Sequence, residues 1–195
     1  MAGIRSFVAV ELNDAARSAL NQLQAELNRQ TPPHTVRWTK PDSIHLTLQF
    51  LGDIPPAQVN ALENALQTAC SGLPAFEMAL EGLGVFPNPR RPRIVWVGLS
   101  ETGGVLRTLH KRVGQALSPL GYPPESRPFK PHLTIGRAVR DAAQRDLQSL
   151  GELVGKVEIG KLAQVSVDHI SLMKSDLRPG GSVYTPLATV ALVNK

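Results

Sequence analysis

The sequence predicts an α+β protein of two related lobes, with sheets lining a central cleft and helices on the outside. Three observations predict it. The segment His45-Leu-Thr-Leu recurs 87 positions later as His132-Leu-Thr-Ile. The elements read around both copies run in one order: strand, helix, strand with His-x-Thr, helix, strand. That order marks an internal duplication and not a short solenoid repeat. No stretch is long enough to separate two independent domains. The reading is therefore a single domain over 1–195, with the repeat covering roughly 4–86 and 93–193.

The elements follow from the pattern of side chains. Residues 4–12 (IRSFVAVEL) alternate as a strand, with Phe7, Ala9 and Glu11 on one face and Val8, Val10 and Leu12 on the other. Asn13 is an N-cap for a helix whose Ala16, Leu20, Leu23 and Leu27 fall at helical spacing. After a break at Pro32 and Pro33 come VRW and the strand IHLTLQFLG. Pro55 and Pro56 open a second helix carrying Val59, Leu62, Leu66 and Ala69 on one face. FEMALEGLGVF reads as a strand ending in the loop PNPRRPR. The second half starts with the strand RIVWVGLS, in which Trp96 reads as core. Gly103 and Gly104 lead into a helix aligned on Leu106, Leu109, Val113 and Leu117. Pro123 and Pro124 break the chain before the strand HLTIGR. DAAQRDLQSL is a short helix, VEIGKLAQVSVDHISLMKS holds one or two strands, and YTPLATVALV is a final strand.

At 195 residues with 42% hydrophobic and 19% charged side chains, the chain is expected to bury a sizeable core. No apolar run approaches the ~20 residues a membrane helix needs. The start, MAGIRSFVAVEL, lacks the features of a signal peptide. The expectation is a cytoplasmic, monomeric protein with no membrane partner. The single Cys70 reads as a small buried residue on a helix. A net charge of +5 and a pI near 9.7 favour polyanionic partners such as nucleic acid or phosphorylated small molecules.

On a strand, alternate side chains share a face, so His45 lies with Thr47 and His132 with Thr134, ~7 Å apart along each strand. Leu46, Leu48, Leu133 and Ile135 anchor the other face. If a pseudo-twofold relates the halves, two imidazoles and two hydroxyls look at one another. Two histidines supply a general acid and a general base at neutral pH. Hydroxyls fixed on strands can bind phosphoryl oxygens. Arg137 can neutralise phosphate charge, although ideal alternation points it away with Leu133 and Ile135, unless a bulge at Gly136 turns it inward. No HExxH and no cysteine cluster is present, so no metal and no cofactor is expected. His34 reads as a loop residue, His110 as lying on a solvated helix face, and His169 as marking a bulge or strand boundary.

With both motifs in place, the chain resembles the two-histidine phosphoesterase superfamily. Within it, the chain is most similar to RNA 2',3'-cyclic phosphodiesterases, also called 2'-5' RNA ligases of the LigT type. The stretches RSFVAVEL, VRWTKPDSIHLTLQFLGD, GVFPNPRRPRIVWVGL, FKPHLTIGR and ISLMKSDLRPGGSVYTPLATVAL carry the resemblance. It implies a bilobal fold of two antiparallel sheets flanked by helices. It also implies metal-independent hydrolysis of an RNA-terminal 2',3'-cyclic phosphate to the 2'-phosphate, with reversible 2'-5' ligation of RNA such as tRNA halves as the same chemistry. By resemblance His45 is the proton donor to O3' and His132 the acceptor from water. Thr47 and Thr134 hold phosphate oxygens, Arg137 is the basic residue after the second motif, and Phe50 stacks on the terminal base. The motif spacing is symmetric and does not itself choose acid from base. A cyclic phosphodiesterase acting on small nucleotides such as ADP-ribose cyclic phosphate is the other enzyme reading, and an RNA-binding module is the non-enzyme one.

Around the motifs, Arg90, Arg91 and Arg93 either track RNA phosphates or sit on a solvated loop. Trp38 and Tyr184 either stack on bases or pack at the core and rim. Lys130, just before Pro131, can face the cleft.

Overall fold

The computed structural model describes residues 3–178 and 181–193. Pro179 and Gly180, within the last stretch that carries the resemblance, lie outside the described residues. The chain runs β1 (Ile4–Glu11), α1 (Asp14–Gln30), β2 (Val36–Trp38), β3 (His45–Ile54), α2 (Val59–Cys70) and β4 (Phe76–Phe86). It continues with β5 (Ile94–Ser100), α3 (Val105–Leu117), β6 (His132–Ala138), α4 (Gln144–Lys156), β7 (Ala163–Val167), β8 (His169–Arg178) and β9 (Gly181–Ala191). The Asn13 side chain caps α1, accepting the Ala16 N–H at 2.9 Å. The second helix opens with a 3-10 turn at Pro56–Gln58, since proline suits a first turn whose N–H groups lack partners.

The strands form one sheet in the order β7-β4-β5-β6-β3-β1-β8-β9, with β2 paired to β6. Every pairing between these strands is antiparallel. The two expected sheets are its two halves, joined where Leu46 faces Leu133. This single-pair junction lies inside the two His-x-Thr motifs, so β3 and β6 diverge from the point where their histidines begin.

The halves of the chain exchange elements across this junction. β4, from the first half, lies between β5 and β7, while β8 and β9 extend the sheet from β1. The helices do likewise: α1 packs by β7 and α4 by β4, whereas α2 and α3 pack together beside β9 and β3. One apolar core runs through both halves, filled by Leu20, Leu27, Leu46, Leu66, Leu109, Leu133 and Ile135 among others. Cys70 is buried in it on α2, and burial pushes its thiol up to about 11. A second small cluster, Phe7, Ala9 and Met173 with Tyr184 against it, gathers side chains of β1, β8 and β9. Among the described residues, no helix is long and apolar enough to cross a membrane.

Two expectations change here. The α4 helix spans Gln144–Lys156, beginning later and ending later than DAAQRDLQSL. Gly151 does not stop it: a Cβ at that position would run into the Pro89 carbonyl, so glycine serves close packing on the β4–β5 loop. Trp96 is half-buried, not core. Strand alternation sends Val95 and Val97 inward and leaves Trp96 over Gly84, its ring 5.2 Å from that of Phe86.

Candidate active site

A cleft of about 950 Å³ opens over the junction. His45, Thr47, His132 and Thr134 all line it, while Leu46, Leu48, Leu133 and Ile135 are buried. The two motifs therefore do meet at one site, each anchored by its aliphatic positions.

A paired irregularity completes the floor. Val8 faces Gln49 and Ala9 faces Thr47, so Leu48 is an extra residue on β3. Val95 faces Gly136 and Trp96 faces Thr134, so Ile135 is an extra residue on β6. Leu48 and Ile135 occupy the same place in the two motifs. A bulge shifts the alternation by one, and this brings Phe50 and Arg137 into the cleft, where ideal strands would have pointed both away. Gly136 helps differently from expected: a Cβ there would press on Val36 and Trp38 of β2. The bulge carbonyl, Ile135 O, accepts from Thr39 N–H at 2.9 Å and from the buried Gln24 Nε2 at 2.7 Å.

The same local geometry orients both imidazoles. His45 Nδ1 lies 3.0 Å from the Ser43 carbonyl, and His132 Nδ1 lies 2.7 Å from the Lys130 carbonyl. A carbonyl only accepts, so each Nδ1 carries its hydrogen and each Nε2 is left for the cleft.

The surroundings differ. His45 stacks on Phe7 at 4.5 Å and meets the edge of Tyr184 at 4.9 Å. Among the described residues, the aromatic ring against His132 is that of Phe86, edge-on at 5.1 Å. Across the strands His45 faces Glu11, whereas His132 faces Gly98. Burial lowers the His45 pKa to about 4, opposed by the Ser43 carbonyl and the Glu11 carboxylate and reinforced by Arg137. Glu11 is itself held: Ser171 Oγ donates to its Oε2 at 2.8 Å, and His169 Nε2 stands 3.8 Å from the same oxygen.

The depressed pKa has a sign. The unfolded chain binds the His45 proton below about 6.5 and the folded chain only below about 4. The contribution of His45 to stability is therefore full above pH 6.5, falls as pH drops from 6.5 to 4, and is gone below about 4. Thermal melts across this range should show that loss, and His45→Gln should flatten it; an equal slope in the variant contradicts the assignment.

Of the other residues singled out, Lys130 and Tyr184 line the cleft with Arg137 and Phe50, and Phe50 is 61% exposed. Arg91 lies outside the lining. Its N–H and that of Arg90 are held by Asn88 Oδ1, and Gln144 Nε2 donates to the Arg90 carbonyl, so this loop closes onto α4. Trp38 packs on Gly136 and donates from Nε1 to Asn28. His110 differs from expectation: it is half-buried, stacks on Phe129 and lines the cleft. Its place on α3 gave no sign of this, because the Phe129 segment reaches it only through the fold. Phe7 and Phe86, against the two histidines, were legible only as strand residues.

The LigT like Phosphoesterase family model matches the chain twice, over residues 10–96 and 97–184. An RNA 2',3'-cyclic phosphodiesterase of Methanothermobacter thermautotrophicus is 33% identical over 189 residues, covering 97% of this chain and 99% of that protein. One from Aquifex aeolicus is 32% identical over 184 residues, covering 93% and 94%. Among solved structures, a Thermus thermophilus protein matches with a TM-score of 0.79 at 29% identity, covering 96% and 97%. Escherichia coli LigT complexed with 3'-AMP matches with a TM-score of 0.77 at 26% identity, covering 98% and 99%.

Proposed function

The chain belongs to the LigT-like phosphoesterase family, and on that premise we propose that it hydrolyses an RNA-terminal 2',3'-cyclic phosphate to the 2'-phosphate. The observation that carries this is the pair of imidazoles sharing one cleft, each with Nδ1 tied to a carbonyl and Nε2 free.

In this reaction water attacks phosphorus as His132 Nε2 takes its proton. His45 Nε2–H gives a proton to O3' as the P–O3' bond breaks, leaving the phosphate on O2'. Thr47 and Thr134 hydroxyls donate to the non-bridging oxygens, and Arg137 offsets their charge. Phe50 and Tyr184 supply aromatic surface, and Lys130 positive charge, for the RNA end. Free His45 is neutral near pH 7, so it gains its acid proton together with the anionic substrate, with Glu11 favouring the charged ring. With the 5'-hydroxyl of a second RNA, such as a tRNA half, in place of water, the same steps give a 2'-5' bond. On this reading one chain supplies both motifs, as a monomeric single domain of two repeats working in the cytoplasm without metal or cofactor.

The test is incubation in EDTA with a dinucleotide ending in a 2',3'-cyclic phosphate. Conversion to the 2'-phosphate, with a bell-shaped pH dependence, supports the reading. Binding without turnover overturns it.

A further inference from the structure

The cleft extends well beyond the four floor residues. Its volume of about 950 Å³ stands at the upper end of the ~300–1,000 Å³ typical of small-molecule sites. One wall is formed by His110 of α3 and the segment leading into β6, with Glu125, Arg127, Phe129 and Lys130. Nothing in the hydrolysis of the cyclic ester uses His110, Phe129 or Arg127. The antiparallel register that sets Leu46 opposite Leu133 carries β3 towards Phe50 on the side from which this segment arrives.

The wall has the makings of a stacking platform. The His110 and Phe129 rings lie 3.8 Å apart and 11° from parallel. Both are half-buried, one held by a helix and the other by the chain just before the catalytic strand. Burial lowers the His110 pKa, against the opposing pull of Glu125, and so favours a neutral aromatic ring. Arg127 and Lys130 are exposed beside the pair. Aromatic faces flanked by cations are how proteins hold single-stranded nucleic acid without reading its sequence.

We infer that His110, Phe129 and Arg127 form a second nucleotide subsite, which seats the base and phosphodiester 5' of the terminal ribose. The inference rests on the proposed function and deepens it: the substrate is a single-stranded oligonucleotide end of at least two nucleotides, not a lone cyclic nucleotide. Phe50 faces the terminal base, the His110–Phe129 pair takes the next one, and Arg127 with Lys130 offsets the phosphate between them.

The experiment compares kcat/KM for a nucleoside 2',3'-cyclic monophosphate, the di- and trinucleotides with the same 3' end, and ADP-ribose cyclic phosphate. The dinucleotide should exceed the mononucleotide by about 5- to 150-fold, the worth of one base on an aromatic ring, with little more from a third nucleotide. His110→Ala and Arg127→Ala should pull that ratio towards one, and His110→Phe should keep it. Dissociation constants of the matching 2'-phosphorylated mono- and dinucleotides give the same ratio without turnover. No hydrolysis with the binding ratio intact would sink the hydrolase reading and support the subsite. Hydrolysis with a ratio near one would sink the subsite alone, as would a ratio that survives His110→Ala and Arg127→Ala. ADP-ribose cyclic phosphate outpacing the dinucleotide would overturn the oligonucleotide assignment.

Discussion

His132→Ala lowers turnover of a cyclic-phosphate-ended dinucleotide by about 10²–10⁴-fold, the ordinary worth of one positioned proton transfer. His45→Ala does the same, and the double variant is little worse than either single one, because acid and base act on the same step. The two variants separate on stability. Among the described residues the His132 ring meets an aromatic neighbour, Phe86, by an edge contact, and its hydrogen bond to the Lys130 carbonyl is exposed, so its removal leaves the melting temperature closer to the parent than removal of His45 does. His45 lies flat against Phe7 and under Tyr184, so its removal also loosens the packing there. Steady-state rates and melts of the three variants check this, and full activity in either single variant defeats the proposed mechanism.

Arg137→Ala should cost about 10²–10³-fold in kcat, the loss seen when one preorganised group facing the reacting charge is removed. It should also raise the His45 titration midpoint above about 4, because the guanidinium is one of the causes holding it down. An NMR titration of the His45 ring reads that shift independently of rate. Arg137→Lys keeps a charge without the two-pronged donor and should fall between the parent and the alanine variant. A midpoint unmoved in Arg137→Ala would remove Arg137 from the charge balance at His45.

The motifs were legible because a strand with one buried face writes itself as alternation: Leu46 and Leu48, like Leu133 and Ile135, point to the core. What alternation hides is any break in its own phase. Phe50 and Arg137 reach the cleft only because Leu48 and Ile135 are extra residues; Gly136 hints at the second bulge, while nothing in the composition around Leu48 marks the first. Trp96 departs from its core reading for the related reason that an apolar run does not say which of its members face inward. Contacts between distant segments are silent in sequence altogether. Glu11 beside His45, the Phe7 stack and the His110–Phe129 pair each join residues far apart in the chain. Arg91 is a different case: a run of arginines and prolines suggests a binding loop, and what the sequence does not show is that Gln144 and Gly151 hold the backbone of that loop against α4.

The crossing-over of β4 and α1 one way, and of α3, β8 and β9 the other, means that severing the polypeptide near Gly103 would not release two self-sufficient miniatures. Each fragment would be missing strands that only its counterpart owns, with raw edges ready to be paired. Co-expressed pieces should therefore reassemble into a working whole, and a lone half could satisfy its own backbone only by clasping a twin.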